Sequence, residues 1–114
     1  MSYQADKVVT MSTAEILSEW EGRELIPLPD LAERVGLDHA RQAYAIRKGI
    51  IRTSGTRGAN GRHTVTWEEA ALIVAAAALA ALAGIAVVTM LRSLRGAGAE
   101  VGAAGVTIPL GSAA

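Results

Sequence analysis

The side chains in this sequence that could do chemistry are cations rather than nucleophiles or metal ligands. His39 and His63 are its two histidines, and it has no cysteine. Neither histidine has a carboxylate or a second histidine at ligand spacing, so no metal site is expected. There is no Ser/His/Asp arrangement, no glycine-rich phosphate loop after a strand and no pair of acids in a plausible cleft. The chain is therefore not expected to be an enzyme, and no cofactor is implied. A block of positive charge is the chemical feature that remains. Residues 36–67 hold Arg41, Arg47, Lys48, Arg52, Arg57 and Arg62 against Asp38 alone, a net +5. Residues 1–35 carry net −4 and residues 68–114 net −1, so the block is hidden in a neutral total. That layout suits a surface facing phosphates, although charge alone fits a solvated basic face equally well.

The elements that must position these cations are legible from punctuation and periodicity. Pro27 and Pro29 predict extended chain, followed by a short helix over about 30–35 with Leu31, Ala32 and Val35 on one face and Gly36 at its end. Asp38 can cap a second helix over about 39–48, which Gly49 terminates. Two short helices joined by a glycine-containing turn are the ingredients of a helix-turn-helix. Two β-prone runs, Ile50 to Thr53 and Arg62 to Thr66, then bracket a turn-rich stretch ending in Asn60-Gly61, which predicts a hairpin with a basic tip, a wing. Thr66 and Glu69 form a capping box that starts the next helix.

In a helix-turn-helix the second helix enters the major groove. With Ile46 as its only large aliphatic residue, that helix should turn His39, Gln42 and Ala43 inward and leave Ala40, Arg41, Tyr44 and Lys48 free. Arg41 is the first candidate for base contact, because Arg can bridge guanine bidentately, and Gln42 is the second. Tyr44, Arg47, Lys48 and Arg52 are placed for phosphates, with Arg57, Arg62 and His63 contributed by the wing. Tyr44 and His63 also fit plain packing and wing positions, and Arg41 a plain solvated charge.

These motifs in this order resemble the MerR-type winged helix and its smaller excisionase-like relatives. The resemblance rests on Asp30 to Leu37, on Arg41 to Ile51 with Tyr44, Gly49 and Ile50 in register, on Asn60 to His63 and on Thr66 to Glu69, covering about residues 27–95. It departs at Ala43, where the family usually has Arg, and at Val65, where an aromatic is common. It implies binding of double-stranded DNA. It also implies a break near Ala83-Gly84 that divides the following segment into helices of about 67–83 and 85–95.

That segment is the second distinctive feature. From Ala70 to Leu91 there is no charged residue. A helix apolar all round must be buried somewhere, and in a chain of 114 residues this points first to an oligomer. Leu72, Ala76, Leu79, Ala80, Gly84 and Val88 are the expected interface, with Ala76, Ala80 and Gly84 as a small-xxx-small row. A membrane anchor is the alternative, because about 20 apolar residues span a bilayer. Arg92 and Arg95 would then lie across the membrane from a cytoplasmic head, against the positive-inside bias. Burial within the chain itself ranks last.

The expected architecture is mostly α. An acidic helical segment (1–24), with a helix capped by Ser12 and Glu15, precedes a winged helix-turn-helix with a small β-hairpin wing (25–69). An Ala-rich apolar helical segment (70–95) and a flexible Gly/Ala-rich tail (96–114) follow. No secretory signal is expected, since Met1 to Thr10 lacks a basic cluster followed by an apolar run. The expected function is that of a small cytoplasmic transcriptional regulator or phage-type recombination accessory factor, binding DNA as a homo-oligomer. The alternative is a structural or membrane-associated assembly protein, such as a phage DNA-packaging or virion component, that reuses the fold for protein contacts.

Overall fold

The computed structural model describes residues 8–11, 17–20, 22–54, 63–102 and 105–109. It is mostly helical, with two small antiparallel sheets. In chain order the elements are β1 (Val8–Met11), a 3-10 turn (Ser18–Trp20), β2 (Leu25–Pro27), α1 (Leu28–Arg34), α2 (His39–Arg47), β3 (Thr64–Thr66), α3 (Trp67–Ala83), α4 (Val87–Ala97), β4 (Glu100–Gly102) and β5 (Gly105–Pro109).

α1 begins two residues earlier than the prolines suggest. Pro29 sits inside its first turn, where a missing N–H leaves nothing unsatisfied, and only Pro27 keeps the extended form. Leu28, Leu31 and Ala32 are buried, while Val35 is half-buried. Gly36, at φ +74°, reverses the chain, and the Leu37 N–H closes onto the Ala32 carbonyl at 2.8 Å. Asp38 then caps α2 by accepting from the Arg41 N–H at 2.8 Å.

Ile50 and Ile51 are not a strand. Both are buried, and both of their N–H groups converge on the Ala45 carbonyl, at 2.8 and 3.1 Å. Fully burying two large aliphatics outweighs their β propensity. The partner of β3 is accordingly β2, in the register Leu25 to Thr66, Ile26 to Val65 and Pro27 to Thr64. Among the described residues the expected arms come together at Ser54 and Thr64, where the Ser54 N–H donates to the Thr64 carbonyl at 2.8 Å and the two hydroxyls are hydrogen-bonded. The basic tip, with Arg57, Asn60, Gly61 and Arg62, lies outside the described residues.

α3 starts at the Thr66 cap, which accepts from the Glu69 N–H at 3.2 Å, and stops at Gly84 in the left-handed region. α4 leaves at 113° to it. The expected helices of about 67–83 and 85–95 are thus found at 67–83 and 87–97, with the break at Gly84. Among the described residues no single helix is long and apolar enough to cross a membrane; α3 and α4 reach the length and composition only as this bent pair.

Two expectations for the flanks are corrected. Residues 96–114 are not simply a flexible tail, because β5 pairs with β1 on one side and β4 on the other, and Val106 and Ile108 are buried. Nor is the start helical throughout: Val8–Met11 is a strand and Ser18–Trp20 a single 3-10 turn, while Ser12, Glu15 and Ile16 lie outside the described residues. The β-branched residues Val106, Thr107 and Ile108 take partners from the far end of the chain, a pairing that local composition does not reveal.

This arrangement gives the apolar segment its cover. α3 packs against α4 and against β2, β3, β4 and β5. Ala70, Ala71, Leu72, Ile73, Ala75 and Ala76 are all buried in one core with Leu17, Ile26, Leu31, Ile51, Leu91 and Ile108. The intramolecular reading, ranked last from sequence, accounts for most of the helix.

Candidate nucleic-acid interface

The face of α2 is set by a small residue. Ala45 is fully buried, Gln42 and Ile46 are half-buried, and His39, Ala40, Arg41, Ala43, Tyr44, Arg47 and Lys48 are exposed. Centring the inward face on Ile46 misplaced His39 and Ala43, because Ala45 carries little hydrophobic weight in a sequence. Its side chain is fully buried, and its carbonyl accepts the N–H groups of Ile50 and Ile51 in the following loop. The outward face shifts toward Ala40, Tyr44 and Arg47.

The shift separates the expected base readers from the expected phosphate readers. Arg41 is exposed, but its guanidinium is bonded to the Asp38 carboxylate at 2.7 Å. The Arg41 N–H hydrogen bond holds the Asp38 carboxyl below the ordinary carboxylate range, and the guanidinium charge adds to the effect. Gln42 is turned back, its amide donating to the Leu37 carbonyl at 3.3 Å. Both expected base readers are thus engaged with the turn that joins α1 to α2.

The C-terminal half of α2 is different. The Tyr44 ring has Arg47 Cζ at 5.8 Å and Lys48 Nζ at 5.9 Å from its centroid, inside the range of cation–π attraction. Neither cation has a carboxylate partner among the described residues. The ring therefore steadies two charges without neutralising them. Arg52 is exposed, and its N–H donates to Glu69 Oε2 at 2.9 Å, so this segment leaves α2 on a fixed path. His63 is half-buried at the start of the β3 arm, where its carbonyl accepts the Leu28 N–H at 3.0 Å. Arg57 and Arg62 lie outside the described residues.

One residue was invisible to charge counting. Arg92, on α4, is exposed and lines a shallow depression with Tyr44, Lys48 and Ile50. Its own stretch of sequence is net negative, and only the fold of the α3–α4 pair brings it to α2. Helical spacing within α4 puts Arg92 outside the buried Leu91–Leu94 face, which was the available signal.

The expected oligomer interface is mostly spent on the chain itself. Leu72, Ala76 and Ala80 are buried within the core, and Leu79 and Val88 are half-buried against it. Gly84 is exposed in the helix break. The large apolar side chains of this segment left outside are at the α3–α4 tip, where Leu82 is 85% and Ile85 41% exposed.

No protein-family model matches the chain, and neither the curated proteins nor the solved structures provide a match.

Proposed function

We propose that this protein binds double-stranded DNA as a small winged helix-turn-helix protein, a regulator of the MerR type or a recombination accessory factor of the excisionase type. In this reading α2 enters the major groove. The observation that carries it is the un-neutralised charge of Arg47 and Lys48 around Tyr44 on the exposed face of α2. The order of α1, the Gly36 turn, α2 and the β2–β3 pair supports it, as do the residues that resemble the family. A gel shift with a duplex of about 25 bp tests it. Arg47→Ala/Lys48→Ala should weaken binding about tenfold or more, since each lost phosphate contact removes released counterions. Unchanged affinity would remove the assignment.

Self-association keeps one specific support, the exposed Leu82 and Ile85 at the uncharged α3–α4 tip. A second copy joined there would make a dimer, the state in which helix-turn-helix proteins read paired half-sites. The structural-assembly alternative draws on the same tip, and is distinguished by retention of the oligomer with loss of any DNA affinity.

A further inference from the structure

We infer that Arg92 completes a phosphate-binding site with Tyr44 and Lys48, so that the DNA interface extends from α2 onto α4. The inference rests on the DNA-binding reading above and names a contact which that reading does not require. The three residues line one depression together with Ile50. Two are cations without carboxylate partners among the described residues, and the third carries a phenolic hydroxyl. That donor set matches a phosphate oxyanion, which takes point charges and hydroxyl donors together.

The surroundings of Arg92 fit a close-approaching strand. The exposed face of α4 reads Thr89, Arg92, Ser93 and Gly96, residues at i, i+3, i+4 and i+7. It offers one cation, two hydroxyls and a position with no side chain, and α4 contains no carboxylate. The other arginine of α4 is unavailable, because Arg95 is turned inward onto Glu69 and the Ile50 carbonyl. Arg92 and Arg95 thus divide the work: one holds α4 in place and the other faces outward. A phosphate gripped between α2 and α4 would fix how deeply α2 sits in the groove, a positioning role that carries no base information.

The test is fluorescence anisotropy with a labelled mixed-sequence duplex of about 25 bp, titrated at several salt concentrations. Arg92→Ala should lower affinity about fivefold and flatten the dependence of log K on log salt by about one contact. Arg92→Lys should restore the slope, and Arg23→Ala, which lines a separate depression with Glu19, Asp30, Glu33 and Arg34, should match the wild type. A wild-type slope and affinity for Arg92→Ala would overturn the inference while leaving the DNA reading intact. A loss of affinity with an unchanged slope that Arg92→Lys does not repair would overturn it as well, by showing a purely structural effect. Absence of any wild-type binding at low salt would overturn the DNA reading and this contact with it.

Discussion

Arg95 of α4 and Glu69 of α3 form an ion pair whose side chains are only 16% and 9% exposed, and both also hold the segment that leaves α2. Arg95 Nε donates to the Ile50 carbonyl at 2.6 Å, and Glu69 Oε2 accepts the Arg52 N–H at 2.9 Å. The pair fastens the proposed DNA-binding helix to the helical hairpin behind it. Arg95→Ala would leave a carboxylate at the edge of the core and a carbonyl without its donor. It should cost about 3 kcal/mol in urea unfolding. The double change Glu69→Gln/Arg95→Met should cost less than Arg95→Ala alone, since no uncompensated charge remains.

Asp38 has two jobs, capping α2 and restraining Arg41, and the two are separable. Asn caps as well as Asp, so Asp38→Asn should leave the helix intact while freeing the guanidinium and removing a negative charge from the DNA-facing side. DNA affinity should rise, and Arg41→Ala in that background should take the gain away. Asp38→Ala should instead lower stability by about 1 kcal/mol, the usual cost of a lost cap.

The same residue has a predicted pH signature. The carboxyl of Asp38 is depressed in the folded state from an ordinary value of 3.8. Its contribution to stability is therefore complete above the unfolded value and disappears as pH falls through the folded one. An NMR titration of the Asp38 carboxyl should give a midpoint below 3.8. In Arg41→Ala the backbone donor remains, so the midpoint should rise only part of the way.

Two glycines of the α3–α4 pair should respond in opposite directions. Gly84 has φ +72°, and although nothing lies within 4 Å of an added Cβ, Gly84→Ala must strain the backbone and should destabilise by about 1 kcal/mol. Gly96 lies inside α4 with the same open surroundings and no positive φ. Gly96→Ala should stabilise by about 0.5 kcal/mol, read as a raised thermal midpoint.

What the sequence discloses and what it withholds divide along the range of the interaction. Asp38 and Thr66 as caps, and Gly36, Gly49 and Gly84 as stops, all act within a few residues, and each is where its local chemistry puts it. Glu69 shows the limit. Its spacing from Thr66 announces a capping box, yet its side chain goes to Arg52 and Arg95, because a long-range ion pair competes for the same carboxylate. Ile50 and Ile51 have the composition of a strand but are not one for a similar reason: their partners are core residues rather than a neighbouring strand. The pairing of β1 with β5 joins the two ends of the chain, and Arg92 reaches Tyr44 only through the 113° turn of α3 into α4. No window of sequence contains either relationship.

The exposed tip gives a prediction about assembly. Leu82 is 85% exposed, so Leu82→Glu should change folding stability by no more than about 0.5 kcal/mol. If a second copy docks there, light scattering of the wild type should show a dimer or larger species that Leu82→Glu returns to the monomer mass. A wild type already monomeric at high concentration would exclude this surface.

The most direct measurement of the central claim is the change in backbone amide NMR shifts as a mixed-sequence duplex is added at low salt. DNA binding through α2 predicts saturable shifts at Tyr44, Arg47, Lys48 and Arg92, reversed by raised salt, with Glu19 and Glu33 unmoved. No shifts at all, or shifts confined to the tip at Leu82 and Ile85, would contradict it.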